Sequence, residues 1–336
     1  MFKNKRLMMS VLVIFTPIIS LSTLFFGRYN IEAELIFKEF FNLIFSNNVE
    51  KSTELIVLET VRMPRLILAM IVGAGLAMSG AVLQTIFKNP LVSPQFLGFS
   101  GGAAFGGALA IFFGLGTIYL VASAFSFALL AIALVFLLSG AYKKASILTV
   151  ILSGIVITAF FAASTSLLTF FADPYSNMPA IIFWLMGSLA SATYEKILIA
   201  FIPFLIGAVA IFSIRWKINL LALSDEEAKS FGINPNFLRW YILIFVALIV
   251  SSGVSVVGEI GWVGLVVPYI AKIIFGSDCR YLIPASALFG AIFLVVVDTF
   301  SRSLTTVEIP IGILTAFIGS PIFFILLRQY NKGKSR

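Results

Sequence analysis

Few residues in this 336-residue chain could do chemistry, and their spacing favours contact over catalysis. Histidine is absent, which removes histidine-based metal sites, triads and proton relays. The lone cysteine, Cys279, can form neither an internal disulfide nor a cysteine cluster for a metal. Gly333-Lys334-Ser335 imitates the end of a phosphate-binding loop, but Arg328 stands where that motif needs glycine. No nucleophile motif stands out. Glu259 and Asp298 fall towards the outer ends of apolar stretches and read as pairing or capping groups. The main polar concentration on the inner side is the segment 215–239, RWKINLLALSDEEAKSFGINPNFLR. Ser224 can cap a helix there. Asp225, Glu226 and Glu227 fill its first turn, where negative charge is favoured, and Gly232 can end it. Leu220, Leu221, Leu223, Ala228 and Phe231 give it an apolar side. Such a helix can lie on a membrane surface or dock into a partner's groove, and composition alone favours neither.

The elements that carry these residues must live in lipid. Hydrophobic residues make up 60% of the chain and charged ones 11%, against about 45–50% and about 25% in soluble domains. The apolar stretches are continuous and do not alternate, so helices are implied and a barrel is not. A spanning helix needs about 20 mostly apolar residues. Ten spans are expected, at 7–26, 66–87, 95–113, 118–139, 146–171, 197–214, 240–257, 262–276, 281–300 and 309–327. The chain is thus expected to be one all-α polytopic transmembrane domain over 1–336, with 215–239 as its long cytoplasmic loop. The first span reads as a retained anchor, because its apolar run is too long for a signal peptide and no small-residue cleavage site follows.

Charge orients the spans. With both termini inside, 16 of the 23 Lys and Arg and only 4 of the 15 Asp and Glu face the cytoplasm, as the positive-inside rule requires. The apolar segment 181–190 is then a half-helix on the outer side. The net charge of +8 forms no basic stripe, so nucleic acid is excluded as a partner. Small residues crowd the second and third spans, among them Gly73, Gly80, Gly102 and Gly106, and let helix backbones approach. Pro203, Pro268 and Pro321 imply kinked or broken helices. A weak echo between 148–154 and 314–320 suits an inverted repeat. Ionisable groups at membrane depth are scarce, which argues against an ion-coupled secondary transporter.

Several stretches resemble permeases of the iron-siderophore and vitamin B12 ABC importers, the FecCD type. They are Arg62-Met63-Pro64-Arg65, GAGLAMSGAVLQ (73–84), Lys88-Asn89-Pro90-Leu91, LGFSGGAAFG (97–106), FWLMGSLASATYEK (183–196), LLALSDEEAKSFGI (220–233), GEIGWVGLVVPYIAK (258–272) and EIPIGILTAFIGSPIFFILL (308–327). The match runs in one order from about residue 55 to the end of the last span.

The resemblance implies a type II ABC importer permease fold of ten helices with an inverted repeat. It implies a homodimer in a bacterial or archaeal inner membrane, two cytoplasmic ATP-binding subunits and an extracytoplasmic substrate-binding protein. The chain itself is then no enzyme and holds no cofactor; ATP-Mg sits on the partner ATPase. The coupling residues become Leu221, Leu223, Ser224, Asp225, Glu226, Glu227, Lys229 and Gly232. Arg62, Arg65 and Arg302 resemble the family's docking points for the binding protein, to whose carboxylates an arginine fork is suited. Asn89 and Leu91 match the inner gate, and Ala145 and Ser146 match its second half approximately. The fifth and tenth spans border the path. An iron-siderophore chelate leads as ligand, with haem, vitamin B12 and molybdate or tungstate as alternatives. Two departures weaken transfer of a particular substrate: Pro268-Tyr269 where many members read Pro-His, and Val92-Ser93 where many read Ala-Asp.

Overall fold

The computed structural model describes residues 4–27, 53–140 and 147–334, and every regular element among them is a helix. In chain order they are α1 (Lys5–Ser22), α2 (Thr53–Ile86), α3 (Phe99–Phe112), α4 (Thr117–Leu138), α5 (Ile147–Phe171), α6 (Asn177–Met186), α7 (Tyr194–Leu221), α8 (Asp225–Ser230), α9 (Pro235–Val257), α10 (Val263–Phe275), α11 (Cys279–Ser303) and α12 (Ile311–Lys334). Among the described residues, α1 with its short 3-10 extension, α2, α4, α5, α7, α9 and α11 are long and apolar enough to cross a membrane. α3 and α10 have only 14 and 13 residues. They are about 20 Å long at 1.5 Å per residue, too short to span alone.

α2 is the axis of the bundle. It starts at Thr53, thirteen residues before the expected span, and passes through a π-helical stretch at Leu58–Arg62. Glu54, Glu59 and Arg62 lie in this extension, so its charges hide it from a search for charge-free runs. Its apolar window is 83% buried, by α11, α10, α9 and α7. Glycine makes that burial close. A methyl group on Gly80 would stand 1.8 Å from the Gly264 carbonyl oxygen, and one on Gly73 would stand 2.2 Å from that of Gly290. In lipid, where apolar surface gains little from leaving its solvent, such backbone approach is what holds helices together. α3 packs on α4 in the same way, and Ser123 Oγ donates to the Gly106 carbonyl across that seam at 2.7 Å.

Four irregular segments interrupt the helices and meet. Pro94–Leu97 forms a 3-10 turn that ends at Gly98 (φ +85°). Gly187 (φ +68°) ends α6, which covers Asn177–Met186, so the half-helix expected over 181–190 starts earlier and stops before its last four residues. Gly258 (φ +77°) and Trp262 (φ +67°) bracket the break between α9 and α10, and 304–310 leads into α12. They satisfy one another's backbone: Ser188 N donates to Val257 O at 2.8 Å and Ile311 N donates to Gly187 O at 3.0 Å. Irregular backbone survives at membrane depth only where it is enclosed by protein in this way or lines a water-filled cavity. Depth follows from helix register. Gly264 packs on Gly80 and Gly253 faces Val72. These neighbours lie six and fourteen residues before Ile86, about 9 and 21 Å along α2. With one more turn of α9 beyond Gly253, the 258–262 break sits about 9–27 Å from that end, within a hydrocarbon core of about 30 Å.

Candidate coupling, gate and docking sites

The face that carries Lys88 and 215–239, assigned to the cytoplasm by charge, is called inner here. On it, α8 is a six-residue helix with a complete capping box. Glu227 N donates to Ser224 Oγ at 3.2 Å, and Ser224 N and Oγ donate to Glu227 Oε2 at 2.9 and 2.8 Å. The bonds from Ser224 hold the exposed Glu227 carboxyl below its usual range. Asp225 takes a bidentate pair from Arg239 at the start of α9, and that bond lowers its pKa too. Leu221 and Ala228 are buried beneath, so the expected apolar side is divided: they anchor the helix, while Leu223 and Phe231 face out. Glu226 and Lys229 are exposed as well, and Gly232 (φ +75°) turns the chain away in open space. Of the eight coupling residues, Leu221, Ser224, Asp225 and Glu227 have internal work; Leu223, Glu226 and Lys229 remain presented.

The candidate gate loop, Lys88 to Leu91, is built on the end of α2. Lys88 N donates to Thr85 O at 3.2 Å and Asn89 N donates to Gln84 O at 3.1 Å, a helix-ending pattern that puts Lys88 at φ +51°. Asn89 Oδ1 accepts from Leu91 N at 2.9 Å, and Leu91 is exposed. Lys88 Nζ reaches across to the Leu223 carbonyl, so the gate loop is bonded directly to the chain leading into α8. Between them lies a cavity of about 510 Å³ whose lining includes Lys88, Asn89, Ala222, Tyr269 and Lys272. Ala145 and Ser146 lie outside the described residues. Nearby, Asp278 caps α11. Hydrogen bonds from Arg280 and then Asn219 pull its carboxyl down to about 2.

On the outer face the three expected docking arginines come together, but two acids absent from that expectation join them. Arg65 is 4% exposed. Its Nε donates to Asp298 Oδ1 at 2.7 Å, and Nη1 and Nη2 donate to Glu308 at 3.0 and 2.8 Å. Arg302 Nη2 donates to Thr23 O at 2.7 Å and its Nε stands 3.6 Å from Asp298. Arg62 donates to Leu24 O. The Arg62 and Arg302 guanidiniums both close on Gly27, where a methyl group would meet them at 2.8 and 3.2 Å. The arginine forks therefore engage the chain's own carboxylates and carbonyls. Spacing could suggest Asp298 and Arg302, one helical turn apart; Glu308 offered no such sign.

No group of three or more metal-ligating His, Cys, Asp or Glu side chains occurs among the described residues. Comparisons agree with this architecture. The model of the FecCD transport family matches residues 12–329. A molybdate import system permease of Haemophilus influenzae is 39% identical over 325 residues, covering 97% of this chain and 95% of that one. An Fe(3+)-citrate import system permease of Bacillus subtilis is 38% identical over 334 residues, covering 97% and 96%. Among solved structures, an inward-facing conformation of a provisionally assigned metal-chelate type ABC transporter superposes with a TM-score of 0.86 at 38% identity, covering 96% of this chain and 99% of that chain.

Proposed function

Since this chain belongs to the FecCD transport family and is a multi-pass permease subunit of an ABC importer, we propose that it forms the path for an iron-siderophore-type metal chelate. It works as a homodimer in a bacterial or archaeal inner membrane, with both termini cytoplasmic. Two cytoplasmic ATP-binding subunits, which carry ATP-Mg, drive it, and an extracytoplasmic binding protein delivers the ligand. The observation that carries the motor contact is α8: a capped, tethered helix whose exposed groups are Glu226, Lys229 and the flanking Leu223 and Phe231. A helix capped and tethered through its first turn transmits displacement instead of fraying there.

The mechanism is displacement without bond chemistry. The ATPase grips α8 and moves it when it binds and hydrolyses ATP. The Lys88–Leu223 bond carries that motion to Asn89 and Leu91, and the inner gate opens. On the outer face, docking carboxylates of the binding protein compete for Arg302, which donates to the Thr23 carbonyl and makes one long ion pair with Asp298, beside Arg62, which donates to the Leu24 carbonyl. Arg65 instead sets the shape of that face. A molybdate or tungstate ligand is the second reading, favoured by the likeness to the molybdate permease; haem and vitamin B12 are further alternatives.

The test is reconstitution of the chain with its ATPase and binding protein in liposomes. ATP-dependent uptake of an Fe(III) chelate is expected, and Glu226→Arg should abolish coupling or assembly. Uptake by the chain alone, indifferent to ATP, would overturn the proposal in favour of a secondary carrier.

A further inference from the structure

The break between α9 and α10 carries a carboxylate that the importer mechanism above does not use. Glu259 follows Gly258 there, at the outer end of the break by the register of α9 on α2. It lines a cavity of about 410 Å³ together with Gln95, Met186, Trp262, Ile313 and Phe317. That volume is in the range of small-molecule pockets and open enough to take part of a bulky ligand. The cavity lies against α12, and Phe317 at its edge is 75% exposed, so it faces outward from the single chain. Gln95 Nε2 donates to Glu259 Oε1 at a long 3.3 Å. Gly261 makes room for that amide, because a methyl group there would stand 2.7 Å from Gln95 Nε2.

No Lys or Arg lines this cavity, and none pairs with Glu259 among the described residues. The other outer carboxylate, Asp298, has Arg65 at 2.7 Å. An ionisable group within a membrane ordinarily pairs with an opposite charge or serves a pathway. Trp262 adds an aromatic surface held in the left-handed region (φ +67°), where a bulky residue is strained. Such strain persists only where the surroundings over-determine it, which is common at ligand sites. Its Cβ is fixed against Gly319 of α12, at 2.7 Å from where a methyl group would stand. A carboxylate, an amide and an indole thus converge on an otherwise apolar cavity with no counter-ion among the described residues.

We propose that Glu259 is a specificity-determining residue of the translocation path: with Gln95 and Trp262 it accepts a neutral or cationic metal chelate that donates hydrogen bonds, and disfavours di- and trianionic cargo. This rests on the permease reading, and it favours a neutral or cationic chelate over the oxyanion alternative left open there. A carboxylate with no nearby counter-charge gives the cavity a negative potential, which repels an oxyanion.

The test uses the full permease–ATPase complex in nanodiscs. Quenching of tryptophan fluorescence is titrated with a neutral Fe(III)–trihydroxamate, with a trianionic Fe(III)–tricatecholate, and with molybdate as competitor. The trihydroxamate should saturate at a concentration at least tenfold lower than either anion requires. Glu259→Gln should raise that concentration at least tenfold and close the gap, while Glu259→Asp, which keeps the charge, restores the preference. A merely structural role would not follow charge in this way, and elution volume and melting temperature monitor folding of each variant. Equal half-saturation in the native protein and Glu259→Gln, a preference for the anions, or no saturable titration would each overturn the proposal. ATP-driven chelate uptake separates the two levels: if it persists unaltered in Glu259→Gln, this inference alone fails; if the native complex has none, the permease reading fails with it.

Discussion

Arg65 shows what a single side chain does in this protein. Its fork holds a buried acid, Asp298 in α11, and a half-buried one, Glu308 in the 304–310 connection that follows it. Removing one partner of a buried pair leaves the other uncompensated, at a cost of about 3–5 kcal/mol. Arg65→Met is therefore expected to lower thermal stability in detergent by that order. Glu308→Gln should cost less, because Glu308 is a third exposed; a melting series on the two variants checks the order. Asp278 makes a pH prediction. Its folded pKa, about 2, lies below the ordinary carboxylate value, so its contribution is fully present above about pH 4. That contribution is lost as pH falls through about 2. Asp278→Asn should destabilise at pH 7 and lose its effect near pH 2, as read by unfolding midpoints. The sequence made the caps legible, since Ser224 with Glu227, and Asp278 before α11, are local patterns. Glu308 was not legible, because it meets Arg65 across 243 positions of chain.

At the scale of elements, contact between backbones decides. Gly80 on α2 and Gly264 on α10 leave no space for a methyl group. Gly80→Ala must push the helices apart, and overpacking of this kind costs about 1–3 kcal/mol or more. Its yield and melting temperature should fall sharply. Gly116→Ala should be silent, because nothing lies within 4 Å of a methyl group there and its φ of −66° is ordinary. Ser224→Ala removes the α8 cap and should cost about 1 kcal/mol of local stability, read as faster amide exchange over 224–230. The small residues were visible in the sequence as a crowd. Which ones touch was not, since register between helices is set by packing. Charge-free runs also placed the start of α2 too late, because the helix continues through Glu59 and Arg62.

For the whole molecule, the Lys88–Leu223 bond ties the proposed gate loop to the chain that leads into the proposed coupling helix. If it transmits motion, Lys88→Met should lower the ligand moved per ATP hydrolysed. Couplings of this kind are worth about 0.5–2 kcal/mol, roughly a two- to thirtyfold change. Uptake and phosphate release measured in the same liposomes give that ratio. Unchanged stoichiometry would mean that the gate is moved by helix packing alone.

Composition and order of motifs were enough to determine a polytopic α-helical permease. A bilayer demands apolar runs with satisfied backbones, and those demands are written locally. Family likeness was legible for the same reason, as short stretches in a fixed order. Three things needed the tertiary structure: the inward turn of Arg65 onto Asp298 and Glu308, the division of the α8 face into anchor and presented surface, and the meeting of four helix breaks around Glu259. Each depends on residues distant in the chain that only the packing of the helices brings together. No periodicity or spacing along one strand of sequence encodes which backbones will touch.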